Sequence, residues 1–167
     1  MATRKSQRDD MPSALTEAFD GLRERHSTSR DELKLLEPYL AAGNAEAIYL
    51  SHCVIIDDDQ RYNEAASDAA LKQAASMGYI PAVYALGMRY RFGDSVEVDV
   101  TIAADMFRVA SDAGYPEAMY EYGLALFHGI GAPQDVGAAL ALIRGSAREG
   151  DEYAMEFLQA HSFDLHG

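Results

Sequence analysis

The chain has 167 residues, with 14 Lys and Arg against 27 Asp and Glu, which gives a formal net charge of −13. This length suits one domain that can bury a core without disulfides, and the single cysteine excludes an intrachain disulfide. The acidic balance disfavours nucleic acid and anionic membranes as partners. It would steer a basic protein partner toward the chain, or it serves only to keep the protein soluble.

The N-terminal segment predicts a polar tail followed by a helix. Residues 1–11 are predicted to be a disordered polar tail. Leu15, Phe19 and Leu22 are spaced four and three residues apart behind Pro12, a pattern that predicts a helix over about 12–25. The 28 alanines, against seven valines and seven isoleucines, favour helices over strands throughout the chain.

A leucine-rich stretch predicts a second helix over about 30–42, kinked at Pro38. Together, residues 12–42 are predicted to form capping helices at the N-terminal side of the remaining chain. The first residues lack the apolar run of a secretory signal, and no stretch approaches 18 apolar residues. The chain is therefore predicted to be cytoplasmic, with no membrane contact.

From residue 43 onward the sequence repeats itself every 35 or 36 residues. Each repeat opens with a glycine that is followed four residues later by an alanine. The glycines are Gly43, Gly78, Gly114 and Gly150, and the alanines are Ala47, Ala82, Ala118 and Ala154. Such self-similarity indicates a repeat architecture. It predicts three units over 43–77, 78–113 and 114–149, a partial unit over 150–163 and a tail at 164–167.

Each complete unit reads as a hairpin of two helices. In the second unit, apolar residues four apart predict a first helix over about 80–92 that ends at Gly93. A loop leads to Asp99, whose carboxylate is predicted to cap a second helix over about 100–113. The remaining helices are predicted at about 116–128, 136–149 and 153–163.

Two glycines fall inside predicted first helices, at Gly87 and Gly123. An interior glycine costs about 1 kcal/mol relative to alanine, so a packing reason is expected: small residues let the paired helices approach closely. A hairpin of this kind buries its apolar stripe only by stacking on neighbours, and the sequence therefore predicts an all-α fold, an α-solenoid of stacked hairpins.

The repeated columns resemble the Sel1-like repeat (SLR), a branch of the tetratricopeptide-like (TPR-like) helical repeats. Residues 78–114 match the family pattern at Gly78, Ala82, Leu86, Gly87, Tyr90, Gly93, Val96, Asp99, Ala103, Phe107, Ala110 and Gly114. Residues 114–150 match at Gly114, Ala118, Gly123, Gly129, Gly131, Asp135, Ala139, Ala147 and Gly150. The resemblance implies antiparallel hairpins in a right-handed superhelix that binds proteins as an adaptor or scaffold, common in bacteria, with no shared catalytic residues.

The unit over 43–77 departs from this pattern. His52 stands where the other units have the interior glycine, and Asp57, Asp58 and Asp59 replace the glycine-containing loop. The pattern therefore gives no basis for a close helix approach in this unit.

No catalytic or metal-binding pattern emerges from the sequence. His52 and Cys53 are adjacent, but neighbouring helical residues point about 100° apart, so we interpret them as an interface histidine and a partly buried cysteine. The three consecutive aspartates lack the glycine and glutamate of an EF-hand loop and read as a solvated acidic loop. The chain is predicted to be no enzyme and to use no cofactor or metal.

The leading functional prediction is a non-enzymatic protein–protein interaction module. In solenoids the first helix of each unit forms the ligand-facing surface, and positions outside the repeat columns are free to specify a partner. The predicted partner-binding residues are Tyr84, Arg89, Arg91, Tyr120, Glu121 and His128. The alternative, motivated by charge alone, is an acidic cytoplasmic inhibitor such as a bacterial immunity protein, or a chaperone for a basic effector or toxin.

The C-terminal end lacks the second helix that would complete its unit. Met155, Phe157, Leu158 and Phe163 are therefore not expected to be buried together by the preceding hairpin. Exposed apolar patches mark interaction sites, so this end is predicted to be sealed by another chain, either a second copy in a homodimer or the functional partner. The alternative is that the tail at 164–167 and the tilt of the helix hide these side chains.

Overall fold

The structure, a computed structural model, describes Leu15 and residues 29–57 and 63–162. Several sequence predictions lie outside these residues: the tails at 1–11 and 164–167, the helix over 12–25 apart from Leu15, the aspartates Asp58 and Asp59, and Phe163. Leu15 itself is helical and 1% exposed.

All regular elements in the described ranges are helices, which confirms the all-α prediction. The helices are α1 (Ser29–Ala41), α2 (Ala45–Asp57), α3 (Glu64–Ser76), α4 (Ile80–Phe92), α5 (Val100–Asp112), α6 (Pro116–His128), α7 (Val136–Arg148) and α8 (Glu152–Ala160). The bounds of α4 and α6 are those predicted, and the bounds of α1, α5, α7 and α8 differ from the prediction by one to three residues.

The chain divides into two compact units, residues 1–70 and 71–167, with the division inside α3. In the first unit α1 packs against α2. Its core consists of Leu15, Leu36, Ala47, Leu50 and Val54. Residues 12–42 are predicted to form a cap, and the repeats are predicted to begin at residue 43. This boundary comes from the spacing of the sequence repeats, and it stays a prediction.

In the second unit α4 and α5 form one hairpin, and α6 and α7 form the next. The loop of each hairpin folds back on its first helix, because the N–H of Asp99 donates to the carbonyl of Tyr90 at 2.9 Å and that of Asp135 donates to Leu126 at 3.0 Å. The Asp99 carboxylate accepts from the N–H groups of Thr101 and Ile102, both at 2.9 Å, so the predicted cap is confirmed.

The loop begins at Gly93, whose φ of 77° lies in the left-handed region that favours glycine. The hairpins then stack in chain order: α5 packs on α6, and α7 packs on α8. The fold is thus the predicted arrangement of stacked helical hairpins.

The interior glycines hold the paired helices close together. A Cβ atom placed on Gly87 would lie 2.8 Å from Cε1 of Phe107, and one placed on Gly123 would lie 2.7 Å from Cγ1 of Ile143. Both distances are shorter than any real Cβ contact, so the predicted reason for these glycines is confirmed.

The repeat over 43–77 has a polar contact at the position where the other two repeats have the close approach at an interior glycine. His52 and Ser67 are both buried, and Nδ1 of His52 lies 2.7 Å from Oγ of Ser67. The same nitrogen lies 3.0 Å from the Ser67 carbonyl oxygen. His52 is thus an interface histidine that joins α2 to α3, as interpreted from the sequence, and Cys53 beside it is half-buried.

Candidate partner-binding site

The six predicted partner-binding residues lie on two helices of the second unit. Tyr84, Arg89 and Arg91 are on α4, and Tyr120, Glu121 and His128 are on α6. Arg89 offers little surface to a partner, because it is only 8% exposed and its Nε lies 4.0 Å from Oδ2 of Asp94. The repeat pattern gave no sign of this burial.

Arg91, Glu121 and His128 line one groove between the two hairpins. The groove has a volume of about 180 Å³. Its apolar lining comes from α5, α6 and the loop after α6, through Val100, Ala103, Ala104, Phe107, Leu124, Ala125 and Ile130. Three of the six predicted residues therefore form the polar part of a single concave surface.

An ion pair connects the two first helices at this groove. Nη1 of Arg91 on α4 donates to Oε2 of Glu121 on α6. The Glu121 side chain is 11% exposed and that of Arg91 is 36% exposed. Burial raises the pKa of Glu121, the Arg91 charge opposes that rise, and the negative charge of Asp151 adds to it. The pair is thus partly desolvated, with the arginine more open to solvent.

Tyr84 and Tyr120 lie in aromatic contacts within and between repeats. The Tyr84 ring centroid is 5.2 Å from that of Tyr115 and 5.8 Å from that of Phe107. The Tyr120 centroid is 6.5 Å from that of Tyr153 and 6.3 Å from that of Phe157. Both tyrosines therefore stabilise the stacking of hairpins as well as contributing to the surface of the first helices.

Burial and the charges of carboxylates raise the pKa of both phenols. Burial, followed by the charges of Glu121 and Glu117 and of Asp151, raises the pKa of Tyr84. Burial and the charges of Glu121 and Asp151 likewise raise the pKa of Tyr120.

Two buried carboxylate oxygens were not expected from the sequence, because Oε2 of Glu117 and Oδ2 of Asp151 have no hydrogen-bond partner among the described residues. Both residues are next to positions of the repeat pattern and close to the start of a helix. An acidic residue there is usually interpreted as an ordinary helix cap. One signal was available for Asp151, because the two preceding repeats carry Tyr79 and Tyr115 at the same position.

The C-terminal helix is covered on one side only. Leu158 is 3% exposed and packs with Ala154 against α7, whereas Met155 is 41% exposed and Tyr153 is 71% exposed. Phe157 is half-buried, with its ring centroid 5.3 Å from that of Phe127. The expectation that this end keeps exposed apolar side chains agrees with these values, and the chain that would cover it stays a prediction.

The described residues contain no cluster of metal ligands. Nowhere among them do three or more His, Cys, Asp or Glu side chains come together as a group that could hold a metal ion. None of the helices in the same ranges is both long enough and apolar enough to cross a membrane.

Comparison with known proteins identifies the repeats. A family model described as "Sel1 repeat" matches residues 80–115 and again residues 116–151. These matches coincide with the hairpin α4–α5 and the hairpin α6–α7. The chain therefore contains two tandem Sel1 repeats, and repeats of this kind generally mediate protein–protein interactions.

Solved structures with the same architecture come from several bacteria. A Sel1 repeat protein from Oxalobacter formigenes is 28% identical, with a TM-score of 0.70 over 75% of this chain and 95% of that one. A protective antigen of uropathogenic Escherichia coli with an SLR fold is 24% identical, with a TM-score of 0.69 over 75% of this chain and 27% of the antigen.

Helicobacter pylori cysteine rich protein B is 19% identical, with a TM-score of 0.62 over 79% of this chain and 98% of that one. The last two likenesses concern the fold alone. Among curated proteins, none matches this sequence.

Proposed function

We propose that the protein is a non-enzymatic, cytoplasmic adaptor or scaffold whose protein partner docks in the groove between the hairpins α4–α5 and α6–α7. The observation that carries this proposal is the groove itself, in which Arg91, Glu121 and His128 border an apolar lining within a volume of about 180 Å³. A repeat fold that generally binds proteins supports the assignment.

The groove has the composition of a small protein-binding hot spot. Burying an apolar side chain on its lining removes apolar surface from water, at about 25 cal/mol per Å². The polar border can orient a partner through the guanidinium of Arg91 and the imidazole of His128, while it shields the lining from water. The net charge of −13 favours a partner with a basic surface, because opposite charges steer the encounter.

A pull-down with a charge-swapped pair tests this proposal. The bait is the full chain, either wild type or carrying Arg91→Glu with Glu121→Arg, which keeps an ion pair but reverses the charges that face the groove. The matched control is Arg108→Asp with Asp112→Arg, which swaps an exposed pair within α5, where Arg108 Nη1 lies 3.5 Å from Asp112 Oδ2. Circular dichroism verifies that all three baits are helical.

We expect the wild-type bait and the control bait to retain a stoichiometric partner, and we expect the groove variant to lose it. His128→Glu provides a second variant, because this side chain is exposed at the end of α6 and carries little packing. A partner retained equally by both groove variants would overturn the proposal. A single basic toxin or effector as the partner would assign the protein to the inhibitor or chaperone class rather than to the adaptors.

A further inference from the structure

We propose that the groove between the two hairpins holds one bulky apolar side chain of the partner, which we call the anchor, and that lysine or arginine residues flank the anchor in the partner's sequence. The inference rests on the proposed function and names the chemistry of the partner. Its basis is the size of the groove, its apolar floor and the charges beside it.

The volume of the groove matches that of one large side chain. It is about 180 Å³, whereas pockets for cofactors and other small molecules usually span roughly 300–1,000 Å³. An apolar cavity of about 150 Å³ takes up one benzene molecule. The groove therefore has room for a single anchor of the size of phenylalanine, leucine or methionine, and it is too small for a typical cofactor.

Small side chains keep the floor of the groove open. Three alanines line it, Ala103 and Ala104 on α5 and Ala125 on α6. Beside them Phe107 forms a wall that is only 2% exposed. An apolar anchor that enters the groove therefore leaves water and meets apolar side chains on the floor, which is the favourable environment for it.

Two exposed apolar side chains form the lip of the groove. Val100 is 39% exposed at the start of α5, and Ile130 is 56% exposed in the loop after α6. This loop packs closely against α5, because a Cβ atom placed on Gly131 would collide with the Val100 carbonyl oxygen and lie 3.0 Å from Cβ of Ala104. Backbone packing thus holds the lip in place, and an anchor can bind without ordering it first.

The guanidinium of Arg91 is also held in position before a partner binds. Its Nη1 donates to Oε2 of Glu121, and its Cζ lies 5.0 Å from the centroid of the Phe92 ring. These two contacts restrict the guanidinium, so the polar border of the groove can keep water away from a bound anchor at little entropic cost.

Acidic residues beside the groove favour basic residues next to the anchor. The loop that leads into Val100 contains Asp94, Glu97 and Asp99 and has no Lys or Arg. Asp94 and Glu97 are exposed. Lysine or arginine in the partner would be attracted to this loop. A second copy of the chain is disfavoured as the partner, since it would bring another net charge of −13.

Binding of a defined peptide tests the groove in the full-length protein. The probe is the capped peptide Lys-Lys-Phe-Lys-Lys, and its control has alanine in place of phenylalanine. Titrations followed by two-dimensional amide NMR of the labelled protein should give saturable shifts at Val100, Ala125 and Ile130. We expect the alanine peptide to bind at least about tenfold more weakly, because it buries much less apolar surface. A peptide with glutamate in place of each lysine should also bind more weakly than the probe.

Variants separate the filling of the groove from changes in its charge. Ala125→Leu fills the floor and keeps the ion pair, so it should weaken the probe about tenfold or more. Its matched control is Ala141→Leu, at an exposed position of α7, which should leave the affinity unchanged. Ile130→Ser shortens the lip at an exposed position and should weaken the probe about threefold or more. Thermal melts verify folding, and Ile130→Ser keeps the test valid if Ala125→Leu does not fold.

Four results would overturn this inference: no saturable binding of the probe, equal binding of the alanine peptide, equal binding of the glutamate peptide, or full affinity in Ile130→Ser and in a folded Ala125→Leu. Concentration-dependent shifts at the groove without peptide would assign it to a second copy and would overturn the inference as well. If the pull-down partner depends on the ion pair but is retained by a folded Ala125→Leu, only the anchor is wrong and the proposed function stands.

Discussion

At the scale of single residues, the interior glycines fix the distance between paired helices. Gly123 lies against Ile143, and the carbonyl oxygen of Ala139 would be only 3.2 Å from an added Cβ. Because that oxygen belongs to the backbone of α7, the helix itself would have to move. Glycine at this position therefore serves packing at the expense of intrinsic helix propensity.

Gly123→Ala should lower the free energy of unfolding by about 1–3 kcal/mol, because overpacking outweighs the gain in helix propensity. Gly137→Ala, also in a helix of this hairpin, is the matched control: its Cβ would meet only Asp135 Oδ1, at 3.5 Å, so it should stabilise by about 0.4–1 kcal/mol. Urea unfolding of both variants measures the two effects. A stabilised Gly123→Ala would show that the helices are less closely packed.

The carboxyl group of Glu121 should make the stability of the folded protein depend on pH. Its pKa is raised above the ordinary 4.5, so the folded state binds its proton more tightly than the unfolded chain does. The stability contributed by this carboxyl is therefore fully present below pH 4.5 and is lost as the pH rises through the folded-state pKa. Between acidic and neutral pH, wild type should lose stability relative to Glu121→Gln.

Thermal melts of both proteins at a series of pH values measure this difference. The variant also loses the charge pairing with Arg91, but that affects the size of the difference and not the sign of its slope with pH. A wild type that gains stability relative to Glu121→Gln as pH rises would contradict the burial-driven shift.

At the scale of helices and loops, the repeated caps fix where the elements begin. Asp99 accepts two backbone N–H groups, which would otherwise lack partners at the start of α5. Replacing it with alanine should cost about 1 kcal/mol. Asp99→Asn retains an acceptor in the same place and should cost much less.

Chemical denaturation of Asp99→Ala and Asp99→Asn compares these two caps. Equal losses from the two substitutions would mean that the carboxylate charge, and not its hydrogen bonds, stabilises the start of α5.

The repeat columns predicted the helices well because they consist of residues with local physical roles. Gly93 ends α4 through its own φ, and Asp99 caps α5 across two and three residues. Side-chain burial in three dimensions is not local, which is why Arg89 was assigned to the surface although it is buried. His52 shows the same limit, since its partner Ser67 lies 15 residues away.

The candidate site was predictable only in part for the same reason. Arg91, Glu121 and His128 were selected because they lie outside the repeat columns on first helices, and they do line one groove. Nothing in the sequence indicated that one oxygen of Glu117 and one of Asp151 are buried without a hydrogen-bond partner among the described residues. Such an absence becomes visible only when the neighbouring helices are in place.

At the scale of the whole molecule, the exposed side of α8 predicts self-association. Met155 and Tyr153 remain exposed there, and apolar surface of this kind favours contact with another chain. The wild type should sediment faster than a monomer at micromolar concentration. Met155→Glu should restore the monomer without loss of helix content, because this side chain is not part of the core. A monomeric wild type would remove the reason to expect a second copy at this end.

The most direct test of the central claim, that a protein partner occupies the groove between the hairpins, is site-specific photo-crosslinking in cells. A photoreactive amino acid replaces His128 at the groove or, as a control, Val109, which is 44% exposed on α5. We predict one discrete crosslinked protein from position 128, lost with Arg91→Glu/Glu121→Arg, and none from position 109. The same protein crosslinked equally from both positions, or from position 109 alone, would contradict the account.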